Sequence, residues 1–334
     1  MVVVSSYFTA VIMCIVTMLC WGSWANTQKL ASKEWRFQLF YWDYAIGVVL
    51  LSLILAFTMG STGTEGRSFM NDLSQADSSN LLSAFIGGVI FNLSNILLVA
   101  AIDIAGMAVA FPIGVGLALA IGVIANYLGA PVGNPILLFA GVTAVVVAII
   151  VDAIAYRKLS ASTQKTATKG IVISILAGVL MGSFYRFVAA SMSTDFVNLE
   201  AGKLSPYTAV VIFSVGLFLS NFVWNSLVMA KPFVGDPVPF SDYIKKGNMK
   251  LHSIGILGGI IWSIGMSFSI IASGAAGFAI SYGLGQGATM IAAFWGVFIW
   301  KEFKDAPVGT NKLLTMMFIF YLVGLVMIVV SRFA

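Results

Sequence analysis

Several polar and aromatic residues recur at helical spacing inside long apolar stretches of this 334-residue chain. Trp21, Trp24, Ala25 and Gln28 stand at i, i+3, i+4 and i+7 and would share one helix face. Asn26 lies about 100° round the same helix from its neighbours. Asn92 and Asn95 are spaced i, i+3, Tyr282 and Gln286 i, i+4, and Asn221 and Asn225 flank Trp224. An amide offers both donor and acceptor, and an aromatic face covers apolar surface. The combination suits a small neutral polar solute, such as a sugar or a ureide. The competing role for each amide is an interhelical hydrogen bond. For the tryptophans it is a membrane-interface belt, a role that fits Trp42 and Trp300 better than Trp21 and Trp24.

Charged residues inside apolar stretches are few, and costly in lipid. Arg186 lies six residues before the expected helix end at Met192, about 9 Å deep. It is a candidate donor to substrate, although snorkelling outward or pairing with Asp195 or Glu200 competes with that role. Asp43, Asp103 and Asp152 could titrate during transport. Asp43, in the step Tyr41-Trp42-Asp43-Tyr44, is the leading coupling candidate, set against a plain role as an acid near a helix N-terminus. Enzymatic chemistry finds little support. His252 is the single histidine, and Cys14 and Cys20 have no ligand partner at metal spacing. No metal, cofactor or catalytic residue is expected.

These residues must be positioned by membrane helices. Ten apolar stretches are read at 7–29, 39–60, 81–102, 107–128, 135–155, 170–192, 206–229, 253–273, 277–300 and 312–331, each near the roughly 20 residues that cross a bilayer. The chain is 60% hydrophobic and 9% charged, with mean hydropathy +0.99. Helices are the expected spanning elements, because backbone groups in lipid must be satisfied within the segment. The net charge of +5 resides in short loops, so no nucleic-acid partner follows from it. Fourteen Lys and Arg fall in loops 1–2, 5–6, 7–8 and 9–10, against three on the opposite side. The bias predicts a multi-pass protein of the inner or plasma membrane, with both termini outside and loop 156–169 cytoplasmic. The first stretch lacks a basic leader region and is expected to be retained.

The chain also repeats itself. GGVIFNLSNILLVAAIDIAGMAVAFPIGVG (87–116) and GGIIWSIGMSFSIIASGAAGFAISYGLGQG (258–287) align without a gap, pairing Gly87 with Gly258, Gly88 with Gly259, Gly106 with Gly277, Gly114 with Gly285 and Gly116 with Gly287. Phe91 falls on Trp262. Trp21-Gly22-Ser23-Trp24 matches Met181-Gly182-Ser183-Phe184 more weakly. The implied fold is all-α: ten transmembrane helices as two inverted five-helix repeats, residues 1–158 and 159–334, in a single membrane domain. Inverted repeats place a substrate site near the midplane at their interface, often beside helix interruptions. Such interruptions are expected at Phe111-Pro112 to Gly116 and at Tyr282 to Gly287.

CWGSWANTQKL, LFYWDYAIGVVL and LAFTMGSTG resemble the opening of the plant ureide permeases, and the likeness continues from Gly87 through Asn126-Tyr127 to Leu128. That family belongs to the drug/metabolite transporter superfamily, with glucose/ribose porters and the rhamnose–proton symporter as relatives. The resemblance implies ten spans in two inverted repeats and uptake of small polar nutrients, often with protons. The long central loop of the plant proteins, with its nucleotide-binding-like motif, is absent here. The reading is a permease importing a small neutral polar nutrient by alternating access. A monosaccharide such as glucose, ribose or rhamnose comes first, then a ureide or nucleobase such as allantoin or uracil, then a multidrug or metabolite exporter of the same fold. Its partners would be the solute, the bilayer and a coupling ion, left open between proton, sodium and none. Trp21, Trp24, Asn26, Asn92, Asn95, Arg186, Tyr282 and Gln286 form the expected substrate site.

Overall fold

The structure is a computed structural model that describes residues 1–31, 34–159 and 168–333, apart from the side chains of Met107 and Ala108. Lys33 and Lys165, both counted in the charge bias, and most of loop 156–169 lie outside the described residues. Among those described, ten helices are long and apolar enough to cross a membrane: α1 Tyr7–Ala31, α2 Phe37–Thr62, α3 Ser78–Ala105, α4 Val109–Gly129, α5 Pro135–Leu159, α6 Thr168–Ser191, α7 Pro206–Ala230, α8 Met249–Ala276, α9 Phe278–Ile299 and α10 Thr310–Val330. The all-α polytopic fold expected from the sequence is the one observed. Large apolar side chains such as Phe8, Leu128, Ile136 and Leu227 remain exposed. That is the outward face a bilayer would cover.

Local chemistry sets the helix starts. Ser6 Oγ accepts from Thr9 N at the head of α1, and Asn248 Oδ1 accepts from Leu251 N at the head of α8. Asn134 Oδ1 takes the Ile136 N–H just ahead of Pro135. Ser205 caps α7 with Pro206 in its first turn. Each supplies an acceptor to N–H groups that have no partner within the helix, and proline at this position has no N–H to strand.

Two hairpins turn on single glycines. α3 and α8 are both 28 residues long, and they end at Gly106 (φ 79, ψ 157) and Gly277 (φ 85, ψ 148). That region of backbone space is open essentially only to glycine. The next helix starts at once, which aims α4 back along α3 and α9 back along α8. Packing is correspondingly paired. α3 lies against α6 and α7, α8 against α1 and α2, and α5 against α10.

The expected pair of helix interruptions is found in one place only. α4 runs on as a single helix through Pro112. α9 breaks after Gly285, resumes at Ala288–Phe294 and ends in a π turn at Trp295–Ile299. α1 has a second break at Trp24, between Tyr7–Ser23 and Ala25–Ala31. α1 and α9, which face each other, are thus both interrupted, and α2 breaks as well at Thr58.

Candidate functional site

A cavity of about 520 Å³ lies among α1, α3, α4, α5, α6, α8 and α9. It runs from Trp21, Phe91, Phe184 and Trp262 in the middle of the bundle to Lys29, Tyr156 and Glu302 at the helix ends near the 156–169 linker. Trp21 to Lys29 is eight residues, about 12 Å of helix. The floor is aromatic. Phe91 and Trp262 have ring centroids 4.4 Å apart, Phe91 meets Phe184 edge-on at 5.0 Å, and Trp21 stacks on Trp262 at 6.0 Å. The Trp21 indole N–H donates to Trp262 O at 3.2 Å, which locks this floor between α1 and α8.

Of the residues expected in the site, Trp21, Trp24, Asn26, Asn95 and Gln286 line this cavity. Gln286 sits at the α9 break, and its side-chain amide bonds to no described protein group. Asn95 Nδ2 donates to the Tyr41 hydroxyl at 3.1 Å, and its Oδ1 stays open to the cavity. Asn26 is already engaged: Nδ2 donates to Ser23 O at 2.9 Å and Oδ1 accepts from the Trp300 indole at 2.7 Å. It shapes the wall more than it offers a free group.

Four of the expected residues stand away from the cavity lining. Asn92 is fully buried between α3 and α7, donating to Leu217 O at 3.1 Å and Ser220 Oγ at 2.9 Å. It is interhelical glue. Tyr282 is also fully buried, its hydroxyl shared between Ala118 O and Met181 O, both at 3.2 Å. Its tip ties α9 to α4 and α6. Arg186 does not line the cavity. Its guanidinium packs on Gly129, at the end of α4 away from the linker. Neither Asp195 nor Glu200 pairs with it. Asn198, by side chain and backbone, and Val197 N–H hold the exposed Asp195 carboxylate below its usual range.

Asp43 is the fourth. It is 1% exposed and outside the cavity. Trp35 Nε1 donates to its Oδ2 at 3.2 Å, the Tyr243 hydroxyl donates to Oδ1, and His252 Nδ1 lies 2.9 Å from Oδ1. Burial, helped by the Asp43 carboxylate, pushes the Tyr243 phenol well above its ordinary value. This is a clasp joining α2, α8 and the short helix Ser241–Lys245.

Sequence reasoning named Asp103 and Asp152 but missed Lys29, Tyr156, Trp295 and Glu302 in the wall near the linker. Trp300 and Trp42 are not a lipid-facing belt. Trp300 lines the cavity with Lys29 Nζ 4.2 Å over its ring, and Trp42 is buried with its indole N–H on Met229 Sδ. The Trp295 indole N–H donates to Ser23 Oγ at 2.8 Å. Lys29 Nζ and the Tyr156 hydroxyl each reach a Glu302 oxygen at 2.8 Å. Asp103 and Asp152 line the same space. The repeat held one usable signal, since Trp262 stands where Phe91 stands in the other half, and both form the floor.

At the opposite end of the bundle the loops are tied together. Arg67 donates to Asp72 Oδ1 at 2.9 Å and to Leu199 O, Glu200 O and Lys203 O at 3.1, 3.0 and 2.7 Å. Asp72 Oδ2 takes the Ser205 N–H, and Lys203 Nζ donates to Ala190 O. The amino group of Met1 donates to Gly63 O and Glu65 O. Asn134 N–H donates to Ser331 O near the C-terminus. These contacts tie down the end of the bundle away from Lys29, Tyr156 and Glu302.

The sequence profile of the ureide permease family matches residues 40–169 and 157–331. The chain belongs to the ureide permease family. Ureide permease 1 and ureide permease 2 of Arabidopsis thaliana are each 23% identical to it, over 99% of both chains. A probable ureide permease A3 of Vigna unguiculata is 27% identical over 55% of this chain and 49% of its own. A solved crystal structure, 14% identical, covers 96% of each chain with a TM-score of 0.58, a likeness of fold alone. The ureide permease match takes in α3, α4, α5, α6, α8 and α9 of the cavity wall. It begins after α1, which the full-length relatives cover.

Proposed function

We propose that this chain is a permease that carries a small neutral polar solute of ureide type across a cell membrane by alternating access. The observation that carries the reading is the cavity itself. The Asn95 carbonyl oxygen and the Gln286 amide stand open above an aromatic floor. Ureido groups are planar and present N–H donors beside a carbonyl acceptor. A carboxamide answers both, and an aromatic face accepts the plane. The relatives' names favour a ureide over the monosaccharide that residue types alone put first. Uracil shares the same planar donor–acceptor edge and is the second solute to test.

The architecture we propose is two inverted halves, 1–158 and 159–334. It is supported by the matched lengths of α3 and α8, by their matching glycine turns and by the paired helix contacts. The proposed orientation puts the linker in the cytoplasm and both termini outside, on the strength of the charge bias. The state described here would then be open inward, and the direction we propose is import. Reconstitution tests the function. Proteoliposomes holding the purified chain should exchange labelled allantoin faster than empty vesicles, with glucose failing to compete. Competition by glucose and not by allantoin would return the reading to a sugar porter. Impermeant-reagent labelling of Ser162→Cys in intact cells would overturn the orientation.

A further inference from the structure

The geometry points to Asp152 as a proton-binding site in the cavity wall, one that loads and unloads as the chamber opens and closes to water. The inference rests on the permease reading for its role in transport. Asp152 belongs to α5, lines the cavity and is 7% exposed. Its Oδ1 is buried with no hydrogen-bond partner.

Its surroundings can be named element by element. From α5 itself comes Tyr156, whose hydroxyl is committed to Glu302 Oε2. Beyond the end of α9 comes Glu302, a second negative charge. From α10 comes Tyr321, which is buried. From α1 comes Lys29, whose ammonium is on Glu302 Oε1 at 2.8 Å. From α3 comes Asp103, exposed to the same space. Among the described residues lining the cavity, three acids therefore face one base. Glu302 holds that base on one oxygen and a phenol on the other. Asp152 is the carboxyl left to balance itself.

An ionised carboxylate shut from water beside another carboxylate costs several kcal/mol unless it is paired. One proton removes that charge, forming an O–H bond on Asp152. When the helices rearrange and water reaches the carboxyl, whose Oδ1 is buried in the state described, the proton leaves to water and the carboxylate is solvated. A neutral solute moving with one such proton carries one positive charge. Asp43 does not compete for the role. It lies off the cavity with its partners already in place.

Two measurements test this. Dicyclohexylcarbodiimide modifies protonated carboxyls in apolar surroundings. In the wild-type protein, the peptide carrying Asp152 should gain the adduct near neutral pH and lose it as the pH rises, while the Asp43 peptide stays unmodified. In proteoliposomes, an inward proton gradient of about one pH unit should drive wild-type accumulation of labelled allantoin, up to roughly tenfold for one-to-one movement. In Asp152→Asn, residual uptake should be the same with and without the gradient. An unmodified Asp152 from about pH 5 to about pH 9, or gradient-driven accumulation kept in Asp152→Asn, would overturn the proposal. So would accumulation driven by sodium alone and lost in that variant. If Asp152→Asn does not fold, the wild-type modification decides. A wild type that modifies at Asp152 but takes up no allantoin breaks the ureide reading and leaves the proton site standing.

Discussion

Asp43 and Asp152 are both buried acids in membrane helices of this chain, and their surroundings are opposite. Asp43 is met by an indole N–H, a phenol and the single histidine, from three separate elements, and does not line the central cavity. Asp152 has one oxygen with no partner, a carboxylate for a neighbour and a cavity in front of it. The first arrangement stabilises an architecture. The second leaves a group free to change state. Burial alone does not distinguish a structural carboxylate from a working one; the partners do.

The contrast can be broken most decisively at Asp43. Asp43→Ala would strand a donor on Trp35 and another on Tyr243, each costing about 1–3 kcal/mol when buried. The summed loss should be roughly 3 kcal/mol or more, seen as a fall in monodisperse protein and in unfolding temperature. Asp152→Asn removes no protein partner and should stay near the wild-type midpoint. Equal destabilisation by the two substitutions would erase the distinction drawn here.

Next in size is the cavity. Gln286→Ala should weaken binding of the transported solute by roughly 5- to 150-fold, the range for leaving one polar group unmatched, with the unfolding midpoint unchanged. Equilibrium binding to detergent-solubilised protein is the measurement, and unchanged affinity would remove Gln286 from the site. Asn92→Ala should do the reverse. It loses the bonds to Leu217 O and Ser220 Oγ, costing about 1 kcal/mol of stability, and leaves affinity alone. A large change in affinity with no change in midpoint would place Asn92 back at the solute.

The smallest effect concerns pH at the clasp. The Tyr243 phenol is pushed upward in the folded protein by burial and then by Asp43. A group raised on folding contributes stability that is complete below its unfolded value, about 10 for tyrosine, and is lost as pH climbs through the folded value. The gap in unfolding temperature between wild type and Tyr243→Phe should therefore be level through neutral pH and change only in strongly alkaline solution. A gap that already changes between about pH 5 and about pH 8 would break this account of Tyr243.

How legible the site was depended on how local each signal is. The i, i+3 spacing of Asn92 and Asn95 puts both on one side of α3, yet Asn92 meets α7 and Asn95 meets the cavity. Within one helix the two are equivalent, and only the packing of α7 against α3 separates them. Trp300 near a helix end has the profile of a belt residue. The π turn at Trp295–Ile299 instead swings its ring over Lys29.

The sequence by itself determined the ten spans, because a backbone in lipid must satisfy its own hydrogen bonds and apolar runs of that length have few other uses. It also determined the two single-glycine hairpins, since φ near +80° with ψ near 150° excludes other residues. Tertiary structure alone decided which polar residue is glue and which is site. It set Glu302 against Lys29 and Tyr156, turned Tyr282 inward between α4 and α6, surrounded Asp43 with donors and left Asp152 without one. Those outcomes depend on which helix lies opposite, a long-range fact that neither periodicity nor composition encodes.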